Sequence, residues 1–204
     1  MSVSESTTQP GAAPPAPGTP ARRLLDSATK LFKAQGIRAV GIDLLLRDAG
    51  VAKASLYSSF GSKDGLVEAY LQYLDQTDRN RWADAVAAVT EPGQRILTFF
   101  DLAIRGGPTG NFRGCHYANA ATEFPEADLR AVREHREWVF GTIRGQLAAL
   151  GNPQPGAPAA EIQLIYDGAL SGAKFDRSVA PIELGRALAA DVIDRSRLID
   201  GDRW

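Results

Sequence analysis

The 204-residue sequence predicts an all-α fold: a small N-terminal lobe and a larger helical body. About nine helices are expected from three observations. Apolar residues recur at i, i+3, i+4 and i+7 through most of the chain, which is the helical period. No stretch alternates apolar and polar residues as a half-buried strand would. Prolines stand where helices should open, at Pro20, Pro92, Pro125, Pro158 and Pro181. Glycines stand where they should close, among them Gly36, Gly106 and Gly151.

Hydrophobic residues make up 44% of the chain and charged residues 23%, the balance of a globular protein. The single cysteine, Cys115, excludes an internal disulfide and suits a reducing compartment. No apolar run reaches the roughly 18 residues needed to span a bilayer. The N-terminus has neither the basic patch nor the apolar core of a signal peptide, so the expected location is cytoplasmic, with no membrane partner. The net charge of −1 hides an asymmetry. From Ala21 to Leu66 lysines and arginines outnumber acids two to one, while the rest is acidic. A basic lobe on an acidic body suits a duplex-binding unit carried by something else.

Residues 1–18 contain Pro10, Pro14, Pro15 and Pro17 among small and polar residues, and are expected to be disordered for want of apolar bulk. Thr19-Pro20 reads as an N-cap followed by proline at the first helical position. Leu24, Leu25, Ala28, Leu31 and Phe32 then share one helical face, which ends at Gly36.

A second helix is expected over Ile42–Ala49, with Asp43 in its first turn, Leu45 and Ala49 inward and Arg47 outward. Gly50 allows a sharp turn because it adopts positive φ without strain. A third short helix runs from Lys53 to about Ser59. Val51, Leu56 and Phe60 can pin it to a small core. Lys53, Ala54, Ser55, Tyr57 and Ser58 are left to present a cation, hydroxyls and a phenol. Such groups reach phosphates and base edges, and one helix fits a major groove, so this is a helix-turn-helix with Lys53–Ser59 as its recognition helix. Ser62 caps the next helix, and Lys63 lies beside that N-terminus, where amides and an ammonium could grip one phosphate together.

The run Ala49-Gly50-Val51-x-Lys53-x-Ser55-Leu56-Tyr57-x-x-Phe60-x-Ser62-Lys63 resembles the DNA-binding signature of the TetR/AcrR family. Upstream, Ala28-x-x-Leu31-Phe32-x-x-x-Gly36 fits that family's first helix, and the resemblance extends from Ala21 to Val67. It implies an all-helical homodimer whose three N-terminal helices bind DNA and whose variable body binds a small effector. Three features depart from the pattern. Val40 and Gly41 stand where Thr and a Ser or Thr are usual, and Ala52 replaces a stronger Ser or Thr cap. Of the usual acidic pair after Lys63 only Asp64 is kept, followed by Gly65.

In the body, Leu66, Tyr70, Tyr73, Leu74 and Thr77 mark a long helix reaching about Ala88. Glu91-Pro92 opens another, with Ile96, Phe99, Phe100 and Ala103 inward. Pro108–Gly114 reads as a loop and Cys115–Phe124 as a short helix. Pro125 is expected to start a helix carrying Leu129, Val132, Val139, Phe140, Ile143, Leu147 and Leu150 inside. Pro158 and Pro181 are expected to open the last two helices, with stripes at Ile162–Ala173 and at Leu184, Leu188 and Val192. The resemblance implies that these two pair across a two-fold axis, and the stripes are compatible with that or with burial inside one chain.

Chemistry is sparse. Cys115, His116 and Asn119 invite a cysteine-nucleophile reading, but adjacent helical residues point about 100° apart, so Cys115 and His116 would not face each other. Two histidines and one cysteine without a close-spaced pair give no metal site, and no glycine-rich phosphate loop or other cofactor motif is present. An effector pocket, implied by the resemblance, would draw on Phe99, Phe100, His116, Asn119, Trp138 and Tyr166, mostly apolar with a few polar groups. His116 and Asn119, at i and i+3, would share a face.

The expected domains are a tail over 1–18, a DNA-binding domain over 19–65 and an effector-binding and dimerisation domain over 66–204. The expected function is a ligand-responsive transcriptional regulator and not an enzyme, a repressor released from a palindromic duplex operator by a small molecule. The contacts would come from Arg47, Lys53, Ala54, Ser55, Tyr57, Ser58 and Lys63. The alternative is a helical small-molecule-binding protein or Cys-dependent hydrolase without DNA binding.

Overall fold

The computed structural model describes residues 14–107 and 112–197. Most of the expected tail, and residues 108–111 of the expected loop, lie outside the described residues. Within those described, the chain forms nine α-helices and no strand. In order they are α1 Pro20–Gln35, α2 Ile42–Ala49, α3 Lys53–Phe60, α4 Lys63–Val86, α5 Pro92–Arg105, α6 His116–Glu123, α7 Arg130–Ala149, α8 Gly156–Asp176 and α9 Ala180–Arg197. No helix among them is long and apolar enough to cross a membrane.

The local signals act as their chemistry requires. The Thr19 hydroxyl accepts from the Arg22 N–H at 3.2 Å, with Pro20 in the first turn of α1. Glu91 caps α5 through the Gln94 N–H, and Ser62 caps α4 through the Gly65 N–H. In each case a side-chain oxygen satisfies one of the four donors that a helix N-terminus leaves open.

Two apolar cores result. The first joins α1, α2, α3 and the first half of α4, through Leu24, Phe32, Leu45, Leu56, Leu66 and Tyr70, and takes in Tyr117 and Ala120 of α6 and Ala131 of α7. The second joins α5, α7, α8 and α9, through Ile96, Phe100, Ile143, Leu147, Ile162 and Ile182. Helix α4 spans both, since Leu66, Val67, Tyr70, Leu71 and Leu74 belong to the first and Trp82 packs on the second. Short α6 lies against both as well, because Cys115 at its N-cap packs on each core.

Four boundaries differ from expectation. Helix α7 begins at Arg130, with Leu129 as N-cap, and Pro125 instead sits in a turn after α6. Helix α8 begins at Gly156, so Pro158 falls inside its first turn, where the missing N–H costs no intrahelical bond. Pro181 is likewise the second residue of α9. Helix α4 closes at Val86 rather than Ala88. The α9 stripe also splits. Val192 is buried, whereas Leu184 and Leu188 are 62% and 45% exposed.

Candidate nucleic-acid interface and ligand cleft

Helices α2 and α3 are joined through Gly50, which has φ 62° and ψ 44°, the left-handed conformation that ends α2 and turns the chain. The buried Leu56 seats α3 on α1 and α4. On the other side Lys53, Ala54, Tyr57 and Ser58 are exposed, Ser55 is half-buried, and Arg47 is exposed on α2. The Tyr57 side chain stands 47% exposed. The Ser58 hydroxyl donates to the Ser55 carbonyl at 3.2 Å, so it is occupied within its own helix until a better acceptor arrives. Ala52 holds the N-cap of α3 with no side-chain bond. Gly65 has a steric reason to be glycine: a Cβ there would collide with the Phe60 carbonyl oxygen.

The Lys63 ammonium, expected to grip a phosphate beside the N-terminus of α4, is engaged within the chain. Its Nζ donates to the Ile37 carbonyl at 2.9 Å, tying the start of α4 to the turn after α1. Burial lowers its pKa, with Asp64 and Glu123 partly opposing. The reason is geometric, since the first residue of α4 stands within hydrogen-bond reach of the turn that follows α1.

Of the expected effector residues, Phe99, Phe100, Trp138 and Tyr166 come together. Phe99 lies 5.5 Å from Trp138 and 6.1 Å from Tyr166, centroid to centroid, and Phe100 meets Tyr166 edge-on at 5.1 Å. Trp82 stacks on Phe99 at 5.6 Å and completes the cluster. His116 and Asn119 do not join it. The Asn119 amide donates to the Arg113 carbonyl at 2.7 Å and accepts from Lys174 Nζ at 3.2 Å, which makes it a loop staple. His116 is held uncharged by burial and by the neighbouring Lys33 and Arg113, its pKa lowered to about 4.

A cleft of about 320 Å³ opens beside the aromatic cluster, between α6, α7 and α8. Tyr117, His135, Val139 and Tyr166 form its walls, with Cys115 at one side and Arg136, Gln163 and Asp167 as further polar groups. Arg136 and Asp167 pair at 2.8 Å. Only Tyr166 of the expected set lines it. Cys115 is an N-cap, its Sγ accepting from the Ala118 N–H at 3.5 Å, and burial pushes its thiol pKa up. That is the reverse of an activated nucleophile.

The cleft is wired to α4. His135 Nδ1 lies 2.9 Å from Asp75 Oδ1, and the Tyr117 hydroxyl donates to Asp78 Oδ2 at 2.8 Å. Burial alone would raise the Asp75 carboxyl, but hydrogen bonds from His135 and Arg79 outweigh it and hold its pKa low. At Asp78 burial wins and the pKa is raised, with the Tyr117 bond only partly offsetting. Arg79 also lies over the Trp138 ring, 4.9 Å from its centroid. A sequence signal for this site existed. Asp75 and Asp78 sit at i and i+3 beside the buried Leu71 and Leu74, and carboxylates at such positions need partners.

Known proteins resemble the chain in sequence and in fold. Residues 24–70 match the model described as bacterial regulatory proteins, tetR family. The HTH-type transcriptional regulator LmrA of Bacillus subtilis is 31% identical over 128 residues, covering 60% of this chain and 68% of that protein. The HTH-type transcriptional regulator YjdC of Escherichia coli is 21% identical over 182 residues, covering 87% and 95%. Among solved structures, a TetR-family transcriptional regulator from Streptomyces coelicolor superposes with a TM-score of 0.80 at 30% identity, covering 87% of this chain and 96% of that one.

Proposed function

Because this chain belongs to the TetR family of transcriptional regulators, we propose that it is a repressor, held on a palindromic operator as a homodimer and released by a small molecule. As a regulator of that family it acts by binding DNA and is not an enzyme. The observation that carries the reading is the two-sided character of α3: Leu56 buried beneath, Lys53, Tyr57 and Ser58 exposed above.

In this reading Arg47 and Lys53 meet phosphates. Ser55, Ser58 and the Tyr57 ring meet base edges or a thymine methyl, with Ala54 close against the groove. The Tyr57 hydroxyl adds a phosphate contact. Lys63 acts chiefly through Ile37, orienting the lobe, and any phosphate contact it makes is secondary. We divide the chain into a tail over 1–18, a DNA-binding domain over 19–65 and an effector-binding and dimerisation domain over 66–204, working in the cytoplasm.

Dimerisation through α8 and α9 is supported by their exposed faces. Leu164 and Phe175 on α8 are 70% and 81% exposed, alongside Leu184 and Leu188 on α9. Four large apolar side chains in water on two adjacent helices favour burial against a second copy. A dimer also suits the short recognition helix, because two half-sites supply the base contacts that one cannot. The cleft between α6, α7 and α8 is the proposed effector site, with an aromatic and apolar lining and a few polar groups. An effector held there weakens operator binding only if it binds the released state more tightly.

Duplex affinity of Tyr57→Ala tests the assigned face. A loss of about tenfold or more, with helicity unchanged, supports it. Unchanged affinity removes it.

A further inference from the structure

We propose that the cleft between α6, α7 and α8 takes a small, uncharged aromatic molecule bearing one donor–acceptor group, a carboxamide or a hydroxyl, which Tyr166 and His135 bond between them. The proposal rests on the reading of that cleft as the effector site, and names the chemistry the site selects.

Most polar groups of the lining are already engaged within the chain. The Tyr117 hydroxyl donates to Asp78 at 2.8 Å, and the Gln163 amide donates to the Arg136 carbonyl at 3.2 Å. Cys115 Sγ accepts from the Ala118 N–H. Two groups stay open. The Tyr166 hydroxyl has no hydrogen-bond partner among the described residues, and His135 uses only Nδ1, which donates to the Asp75 carboxylate. No fully enclosed side-chain nitrogen or oxygen among the described residues lacks a partner, so the Tyr166 oxygen and His135 Nε2 both reach open space. Both rings line the cleft, which is the space they reach. Burial raises the Tyr166 pKa and keeps its phenol protonated, hence a donor. With the ring proton on Nδ1, Nε2 of a neutral imidazole accepts. A ligand that meets both must accept from one and donate to the other, as a carboxamide or a hydroxyl does.

Charge on the ligand is disfavoured. Arg136 and Asp167 neutralise each other at 2.8 Å, and Asp75 answers His135 at 2.9 Å. An ionised ligand gives up its hydration and meets no free counter-charge unless it breaks one of these pairs. Size and wall chemistry set the rest. The volume of about 320 Å³ lies near the lower end of the roughly 300–1,000 Å³ of ligand pockets, which suits one or two fused rings. The walls present the rings of Tyr117, His135 and Tyr166, whose faces and edges favour an aromatic guest over an aliphatic one.

Equilibrium dialysis of the full-length protein against 2-naphthamide, 2-naphthoate, methyl 2-naphthoate and naphthalene tests each part. The amide and the carboxylate share a shape and differ in charge, while the ester keeps the acceptor and lacks the donor. The amide is expected to bind tightest, the carboxylate about tenfold or more weaker and the ester about threefold or more weaker. Tyr166→Phe removes an oxygen that has no partner in the chain, so the fold is kept. It is expected to weaken the amide and the ester by about fivefold and to leave naphthalene within about twofold. Carboxylate binding as tight as the amide's, indifference of the amide to Tyr166→Phe, or no binding of any of the four refutes the proposal. An ester as tight as the amide removes His135 from the pair. Amide binding that follows these ratios yet leaves duplex affinity unchanged supports the site chemistry and sinks the effector reading. Preference for the carboxylate, with release of the duplex, does the reverse.

Discussion

His135 lies flat on Tyr117, ring centroids 3.7 Å apart and planes within 12°, and each ring is bonded to a different carboxylate of α4. The pair is at once a wall of the cleft and the attachment of α6 and α7 to the helix that carries the DNA-binding lobe. Tyr117→Phe keeps the stack and removes the donor to Asp78. Because Asp78 is largely buried, the variant is expected to lose about 1–3 kcal/mol of stability in urea unfolding at pH 7. The raised pKa of Asp78 sets the pH dependence. Its folded form holds a proton more tightly than the unfolded chain does, so its contribution falls as pH rises above the ordinary carboxylate range. The Tyr117 bond offsets part of that fall, and the penalty of Tyr117→Phe should accordingly be larger at pH 7 than at pH 4.

His116 supplies a second pH test of opposite sign. Its folded pKa is lowered from 6.5 to about 4, by burial first and then by Lys33 and Arg113. Between those values the unfolded chain binds more protons than the folded one, so stability falls as pH drops through that window. The loss is on the order of 3 kcal/mol by about pH 4. Unfolding of His116→Phe, compared at pH 7 and pH 4.5, should show that portion of the acid sensitivity removed.

Lys53 and Lys63 are expected to behave differently despite their shared charge. Lys53→Ala should lower the salt slope of duplex binding by roughly one unit, the mark of one lost phosphate. Lys63→Ala should leave the slope nearly unchanged and instead lower thermal stability, because its ammonium is bonded to the Ile37 carbonyl. A slope change equal to that of Lys53→Ala would return Lys63 to the phosphate backbone.

Leu184→Lys with Leu188→Lys should yield a folded monomer in sedimentation, since both side chains are exposed within one chain. Charges placed there are not needed for the monomer's core but would be buried in the dimer. Operator affinity should fall on the order of a hundredfold through loss of the linked second half-site. A variant that stays dimeric would move the interface away from α9.

Much of this architecture was legible in the chain itself. Thr19-Pro20, Gly50 and Ser62 act locally, within one turn of helix, and their positions fix α1, the α2–α3 turn and α4. The inward residues Leu45, Ala49 and Leu56 followed from period alone and are buried. Pro125 misled because proline permits a turn as readily as a helix start, and the turn residues that follow it delay α7 to Arg130. The cleft was mostly hidden. His135 meets Asp75 from 60 residues away, and Glu123 meets Arg38 from 85, and helical periodicity does not encode pairings at that range. His116 and Asn119 share a helical spacing, yet burial and a loop carbonyl claim them separately.

Selection of bound sequences from a random duplex pool reads DNA recognition and two-fold pairing of the protein in one measurement. A two-fold symmetric consensus is expected, its half-sites about one or two helical turns apart and lost when Tyr57 is replaced by Ala. Enrichment of no sequence, or of one lacking two-fold symmetry and indifferent to Tyr57, would contradict it.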